Sequence, residues 1–209
     1  MAEMSMNKAI HGAVRRDLRR FVDALAAFPP GDTGRAKQLH TAWTNFADQL
    51  HHHHTDEHAI AWPALVAVGV PRDVISTMDE EHDAMAAALD EAGTAMERLS
   101  RAPNVGESRA ALAAVKQLQA VTVAHLDHEE AEIEPVLLAK HDTPEMKAMG
   151  REFGKVSPVR GGRFFAWVLD GASPEEQAAI RGEVPGPVLA IIGGVFGLGY
   201  RRRVAPAWH

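Results

Sequence analysis

Four stretches of the chain carry apolar residues at alternating steps of three and four, the spacing of a helix with one buried face. The first stripe is His11, Val14, Leu18, Phe21, Leu25 and Phe28, and the second is Trp43, Phe46, Leu50, His53, Glu57, Ile60 and Ala64. The third is Ile75, Met78, His82, Met85, Leu89, Ala92, Met96 and Leu99. The fourth is Ala111, Val115, Leu118, Thr122, His125 and Glu129, continued by either Glu132 or Ile133. Breakers separate them: Pro29-Pro30-Gly31, Gly69 with Pro71, Pro103-Asn104-Val105-Gly106, and Pro144. The helices expected near 7–28, 33–68, 72–100 and 107–141 are rich in Ala, Leu, Glu, Gln and Met. At about 1.5 Å per residue they would run roughly 30–50 Å. No stretch alternates convincingly with a period of two. The expected fold class is therefore all-α: an antiparallel four-helix bundle over residues 1–141, with a helical C-terminal extension over 142–209 packed on it.

Every stripe also holds a histidine where hydrocarbon is expected, and two hold a glutamate one turn later. A single histidine on an apolar face is ordinarily a hydrogen-bonded core residue. Four of them with two carboxylates are a different problem. A buried polar group without a partner costs about 1–3 kcal/mol. A fold stable by only about 5–15 kcal/mol cannot carry six. Two buried carboxylates also need positive charge. A metal satisfies all six at once.

The arrangement repeats. His53-His54-Thr55-Asp56-Glu57 with Pro63 parallels His125-Leu126-Asp127-His128-Glu129 with Pro135, each a His-x-x-x-Glu with a proline six residues further on. His11 precedes His53 by 42 residues and His82 precedes His125 by 43. An i,i+4 pair shares one helix face. Two helix pairs packed face to face would thus gather His11, His53, Glu57, His82, His125 and Glu129. That set suits two metal ions, each with two imidazoles and both carboxylates bridging.

These six positions resemble those of bacterial-type hemerythrin-like (HHE cation-binding) proteins, four-helix bundles that hold a non-haem di-iron centre. The resemblance covers about 7–141 and includes Glu80-Glu81-His82-Asp83 and the two downstream prolines. It implies two non-haem iron ions in an Fe–O–Fe type centre, with manganese or zinc less favoured. It implies His11, His53, His82 and His125 as terminal ligands and Glu57 and Glu129 as bridging ones. Oxygen-carrying members have five histidines, with His-x-x-x-His on the third helix, whereas here Ala86 follows His82 by four residues. That departure argues against reversible oxygen carriage. The ferritin-like pattern of two Glu-x-x-His pairs is missing, since no Glu-x-x-His occurs.

The histidine count is 12 in 209 residues, and the remaining ones are secondary. The run His51–His54 lies mid-chain and is no affinity tag. By helical phase most of His51, His52, His54 and His58 turn toward solvent or a neighbouring helix. His54, His58 or His128 could add a ligand, and Glu130 could stand in for Glu129. His40 and His141 read as surface residues. Tyr200, the one tyrosine, would join the surroundings of the site if the tail folds over it.

Composition narrows the chemistry further. With no cysteine, disulfides, thiolate zinc sites, iron–sulfur clusters and cysteine nucleophiles are excluded. Residues 1–139 hold 12 Lys+Arg against 21 Asp+Glu, and 140–209 hold 10 against 7. The acidic body attracts cations and repels nucleic acid, and Arg201–Arg202–Arg203 is too short a basic patch to argue otherwise. The opening MAEMSMNKAIHGAVRRD lacks an apolar stretch before its first charges, so a cytoplasmic protein is expected.

In the extension, Lys155–Gly162 reads as a loop and Arg163–Leu169 as a short aromatic helix. Ser173-Pro174-Glu175-Glu176 is a capping box opening a helix to about Glu183. Val184–Tyr200 is 17 residues without charge, but Pro185 and Pro187 shorten it below a span. A helix packed on the bundle is expected, with Gly193, Gly194, Gly197 and Gly199 permitting close approach. The expected function is binding of, or reaction with, a small diatomic or peroxide ligand (dioxygen, nitric oxide or hydrogen peroxide) in oxidative or nitrosative stress, with catalase-like or nitric-oxide-reducing turnover as the enzymatic form. The alternative is a non-catalytic sensor or storage module. A monomer or weak homo-oligomer is expected.

Overall fold

A computed structural model describes residues 4–208. Helix α1 (Met6–Ala26) starts at Ser5, whose side chain accepts from the Lys8 N–H. Helix α2 (Thr33–Asp56) starts at Asp32, which accepts from Arg35 N–H in the same way. A π-helical turn over Glu57–Ala61 joins α2 to α3 (Trp62–Ala67). Helix α4 (Arg72–Arg101) follows Pro71, and α5 (Val105–Glu132) is capped by Asn104, which accepts from Glu107 N–H. Gly31 (φ 88°) and Gly69 (φ 106°) turn the chain before α2 and α4 in a backbone region that other residues rarely adopt. Connections this short make neighbouring helices antiparallel. Helix α4 packs on α5 and α2, and α1 packs on α5 and α2, closing a four-helix bundle.

Proline explains where each repeat departs from a straight helix. Pro63 has no N–H to continue the α-helical ladder, and the Trp62 N–H bonds five residues back to Glu57 O. The extra residue in this turn rotates everything downstream. Ala61, Trp62 and Leu65 are therefore the buried positions, where the uninterrupted period predicts Ile60 and Ala64. Pro135 acts differently. Helix α5 ends at Glu132, Ile133 N–H bonds Glu129 O at 2.8 Å, and α6 (Glu134–Lys140) restarts the helix. Ile133 is the buried continuation of that stripe, and Glu132 is exposed.

The rest of the chain is helical: α7 (Pro144–Phe153), α8 (Pro158–Val168), α9 (Pro174–Glu183), α10 (Gly186–Ile191), a π turn Ile192–Phe196, α11 (Leu198–Arg203) and a 3-10 turn Ala205–Trp208. The expected loop over Lys155–Gly162 holds only to Ser157, which caps α8 by accepting from Arg160 N–H. The expected capping box at Ser173 and Glu176 is present in both directions. Buried Asp17 on α1 accepts from the Trp167 indole at 2.8 Å, tying α8 to the bundle. Gly12 on α1 leaves room for Glu176 of α9, which a Cβ would strike. Of the four glycines expected to permit close approach, only Gly197 does so; a Cβ there would meet Gly193 O and Ala166, while nothing lies near Gly193, Gly194 or Gly199. Among the described residues no single helix is long and apolar enough to cross a membrane, although Pro174–Glu183 and Gly186–Phe196 together reach that apolar length across a 109° bend.

The hydrophobic interior is in two parts. A large core runs through α1, α2, α4 and α5 and includes Trp167, Ile180 and Tyr200 of the extension. A smaller one gathers Ala61, Trp62, Leu65, Ile75, Met78, Ile133 and Met146. A polar layer separates them.

Candidate metal centre

That layer is built from the stripe histidines and glutamates. His11, Glu57, His82, His125 and Glu129 are buried, and the His53 side chain is 8% exposed. One group comprises His11, His53, Glu57 and Glu129, whose donor atoms all lie within 4.8 Å of one another. A second, by the same measure, comprises His54, His82 and His125. The carboxylates lie between the groups. Glu57 is 3.1 Å from His53 Nε2 through Oε1 and 3.5 Å from His82 Nε2 through Oε2. Glu129 Oε2 is 3.2 Å from His11 Nε2 and 3.6 Å from His125 Nε2. His82 and His125 face each other at 3.1 Å, Nε2 to Nε2.

Outer side chains aim these donors. His125 Nδ1 meets Glu81 at 2.8 Å, and His11 Nδ1 meets Glu130 at 3.1 Å. With each Nδ1–H donated outward, each Nε2 is aimed inward. Asn7 donates to Glu129 Oε1 at 2.9 Å, leaving Oε2 to face the imidazoles. Glu130 is itself bound by Arg15 and lies near Lys8, so it orients His11 and does not replace Glu129. His11 and Arg15 hold its carboxyl at about 2, against the pull of burial. His128 shares Glu81 with His125 and points out of the layer. His58 is exposed on Asp79, which also accepts from the Trp62 indole at 2.8 Å. Tyr200 does not reach the layer. It donates to Asp170 at 2.7 Å, lines a separate cavity of about 340 Å³, and burial pushes its pKa up.

The electrostatics leave the layer short of positive charge. Burial lowers the pKa of His53 and His54 well below 6.5, that of His82 to about 4, and that of His125 despite Glu81. Burial also opposes charge on His11, but Glu129 and Glu130 outweigh it and raise its pKa. Glu129 correspondingly stays below its usual value. Glu57 has no such cation. Burial, then the charge of Glu129, pushes its pKa well up. His11 Nε2, His53 Nε2, His54 Nε2, both oxygens of Glu57 and Glu129 Oε2 are all buried without a hydrogen-bond partner. Three ring nitrogens and three carboxylate oxygens converging unpaired form the donor set of a cation site.

The six residues expected from the stripes are thus brought together, and His54 joins them. Ala86 suggests a vacancy beside His82, but an imidazole from α2 stands there. Helical phase leaves His54 facing either solvent or a neighbouring helix, and the neighbouring helix α4 is what it faces. The step of four from Leu50 reaches His54 just as the step of three reaches His53, and α2 has two neighbours to face. Glu81 was visible in the Glu80-Glu81-His82-Asp83 context, though not its task.

A bundle with buried imidazole and carboxylate groups meeting in its core defines a cation-binding four-helix protein. The chain belongs to the hemerythrin family, the Hemerythrin HHE cation binding domain, which matches residues 5–137. No curated protein and no solved structure matches the chain.

Proposed function

We propose that this chain is a dinuclear non-haem iron protein that turns over a small hydrophilic oxidant, hydrogen peroxide foremost, with dioxygen and nitric oxide as other ligands of the same size. His11 and His53 would hold one iron, His82 and His125 the other, with Glu57 and Glu129 between them. When bound, an iron pair supplies two-electron redox chemistry to a small ligand. Imidazole and carboxylate donors without thiolate favour iron, with manganese next, over structural zinc. The chain's own contribution is orientation: Glu81, Glu130 and Asn7 hold the donors facing inward.

The observation that carries turnover is the approach to the layer. A cleft of about 490 Å³ between α2 and α4 reaches His54 and His82. His51, Thr55, His58, Asp79 and Asp83 stand at its mouth, and Leu50, Met85, Ala86 and Leu89 line it further in. Reversible storage of dioxygen calls for a closed apolar pocket that limits oxidation. An open cleft with these polar groups at its edge admits water and peroxide instead.

The iron-loaded protein is expected to convert hydrogen peroxide to water and dioxygen, two peroxides giving two waters and one dioxygen. Glu57→Ala should abolish this, and His141→Ala, exposed at the C-terminal end of α6, should not change it. Negligible oxygen release, together with a stable and reversible dioxygen spectrum, would overturn turnover and favour a sensor or storage protein.

A further inference from the structure

The layer holds one more imidazole than the two His…His-x-x-x-Glu repeats supply. We infer that His54 is a fifth imidazole ligand, completing the His82 and His125 side of the centre. The inference rests on the reading that the layer holds two cations.

The placement follows from helix geometry. Consecutive residues on a helix point about 100° apart. Helix α2 packs on both α1 and α4, so His53 faces His11 of α1 while His54 faces His82 of α4. The His54 ring lies 4.2 Å from that of His82 at an angle of 19°, and 6.0 Å from that of His125, edge-on. Trp62 lies parallel to His82 at 5.7 Å, pinned by its bond to Asp79. The group is therefore held by packing, and its ring nitrogens converge within 4.8 Å.

A histidine serving only as core packing would find its polar nitrogen a partner. His54 Nε2 is buried and has none. Its neighbours cannot provide one readily. The Nδ1–H of His125 is spent on Glu81, so its Nε2 is a lone pair, already facing His82 Nε2 at 3.1 Å. A neutral imidazole offers one proton and one lone pair. His82 can donate its Nε2–H to His125 Nε2, which leaves His54 Nε2 as the nitrogen of the three with no partner unless a cation takes it.

The two ions are consequently unequal: three imidazoles serve one and two serve the other. The test is an anaerobic titration of the metal-free full-length chain with iron(II), read by bound metal and by release to a chelator. The wild type should take up two equivalents. His54→Gln should bind one equivalent as before and the second at least tenfold more weakly, and millimolar imidazole should restore it to His54→Ala, whose cavity admits the free ring. His141→Gln should titrate as the wild type does. A His54→Gln chain that titrates and releases metal like the wild type overturns the inference while leaving the dinuclear reading intact. A wild type that takes up fewer than two equivalents overturns the dinuclear reading itself and the inference with it. Should the variants fail to fold, histidine-labelled wild type loaded with zinc gives the count directly by nitrogen resonance: five metal-shifted ring nitrogens support His54, and four overturn it.

Discussion

Replacing Glu57 with leucine should stabilise the metal-free protein and destabilise the metal-bound one. Glu57 is 3% exposed, and neither carboxylate oxygen has a hydrogen-bond partner. The imidazoles beside it, His53 and His82, are held neutral by burial at pH 7, so no cation offsets the cost of burying it, and its pKa is pushed well up. Leucine has a similar volume and removes the unsatisfied oxygens. Relief of such a group is worth about 2 kcal/mol. At about 2–4 °C per kcal/mol for a chain of this size, the apo melting temperature should rise by about 4–8 °C. With metal present the order reverses. A cation at about a thousand times its Kd stabilises the wild type by about 4 kcal/mol, most of which the variant forgoes. The assay is thermal unfolding by circular dichroism of both proteins, in chelator and with excess iron(II) under argon. An apo Glu57→Leu protein that melts below apo wild type would refute the reasoning, because Glu57 would then be supporting the fold without a cation.

The same electrostatics set a pH dependence for the apo protein. His82 has a folded pKa of about 4 against 6.5 unfolded, so the unfolded chain binds more protons between these values. Stability is present above pH 6.5 and is lost as pH falls toward 4, by about 3 kcal/mol from His82 alone. His53, His54 and His125 act in the same sense, and His11 and Glu57, whose pKa values are raised, act in the opposite one. Urea midpoints of the apo chain should therefore fall between pH 6.5 and 4.5, and an unchanged midpoint would contradict the assignment of neutral imidazoles. Glu81→Ala frees His125 Nδ1 and should weaken metal binding by about 10–100-fold with the helical content retained, which a chelator competition measures. Gly162→Val on α8 would drive a side chain into Phe196 and Ile192 O, and should lower the melting temperature with metal stoichiometry unchanged.

The bundle was legible because its four helices bury one face each and stop at proline and glycine. Two kinds of feature were not. The π turn after Glu57 inserts a residue that no periodicity counts, so Ala61 and Leu65 took the places expected of Ile60 and Ala64. Helix α7 has only a short start signal, Thr143 before Pro144, with Thr143 accepting from Met146 N–H. At the site, a stripe identifies residues on one face but not the second face that a bundle helix shows its other neighbour, which hid His54. Orienting contacts such as Glu81 with His125, or Glu130 with His11, join different helices. Only tertiary packing brings those partners within reach.

The central claim is that one buried layer holds two iron ions. Elemental analysis of the purified full-length chain after anaerobic loading with iron(II) and removal of excess metal tests it most directly. The account requires two iron ions per chain in the wild type and fewer than one in a His53→Ala, His125→Ala double variant that removes an imidazole from each group. One ion in a well-folded wild type, or none, would contradict it.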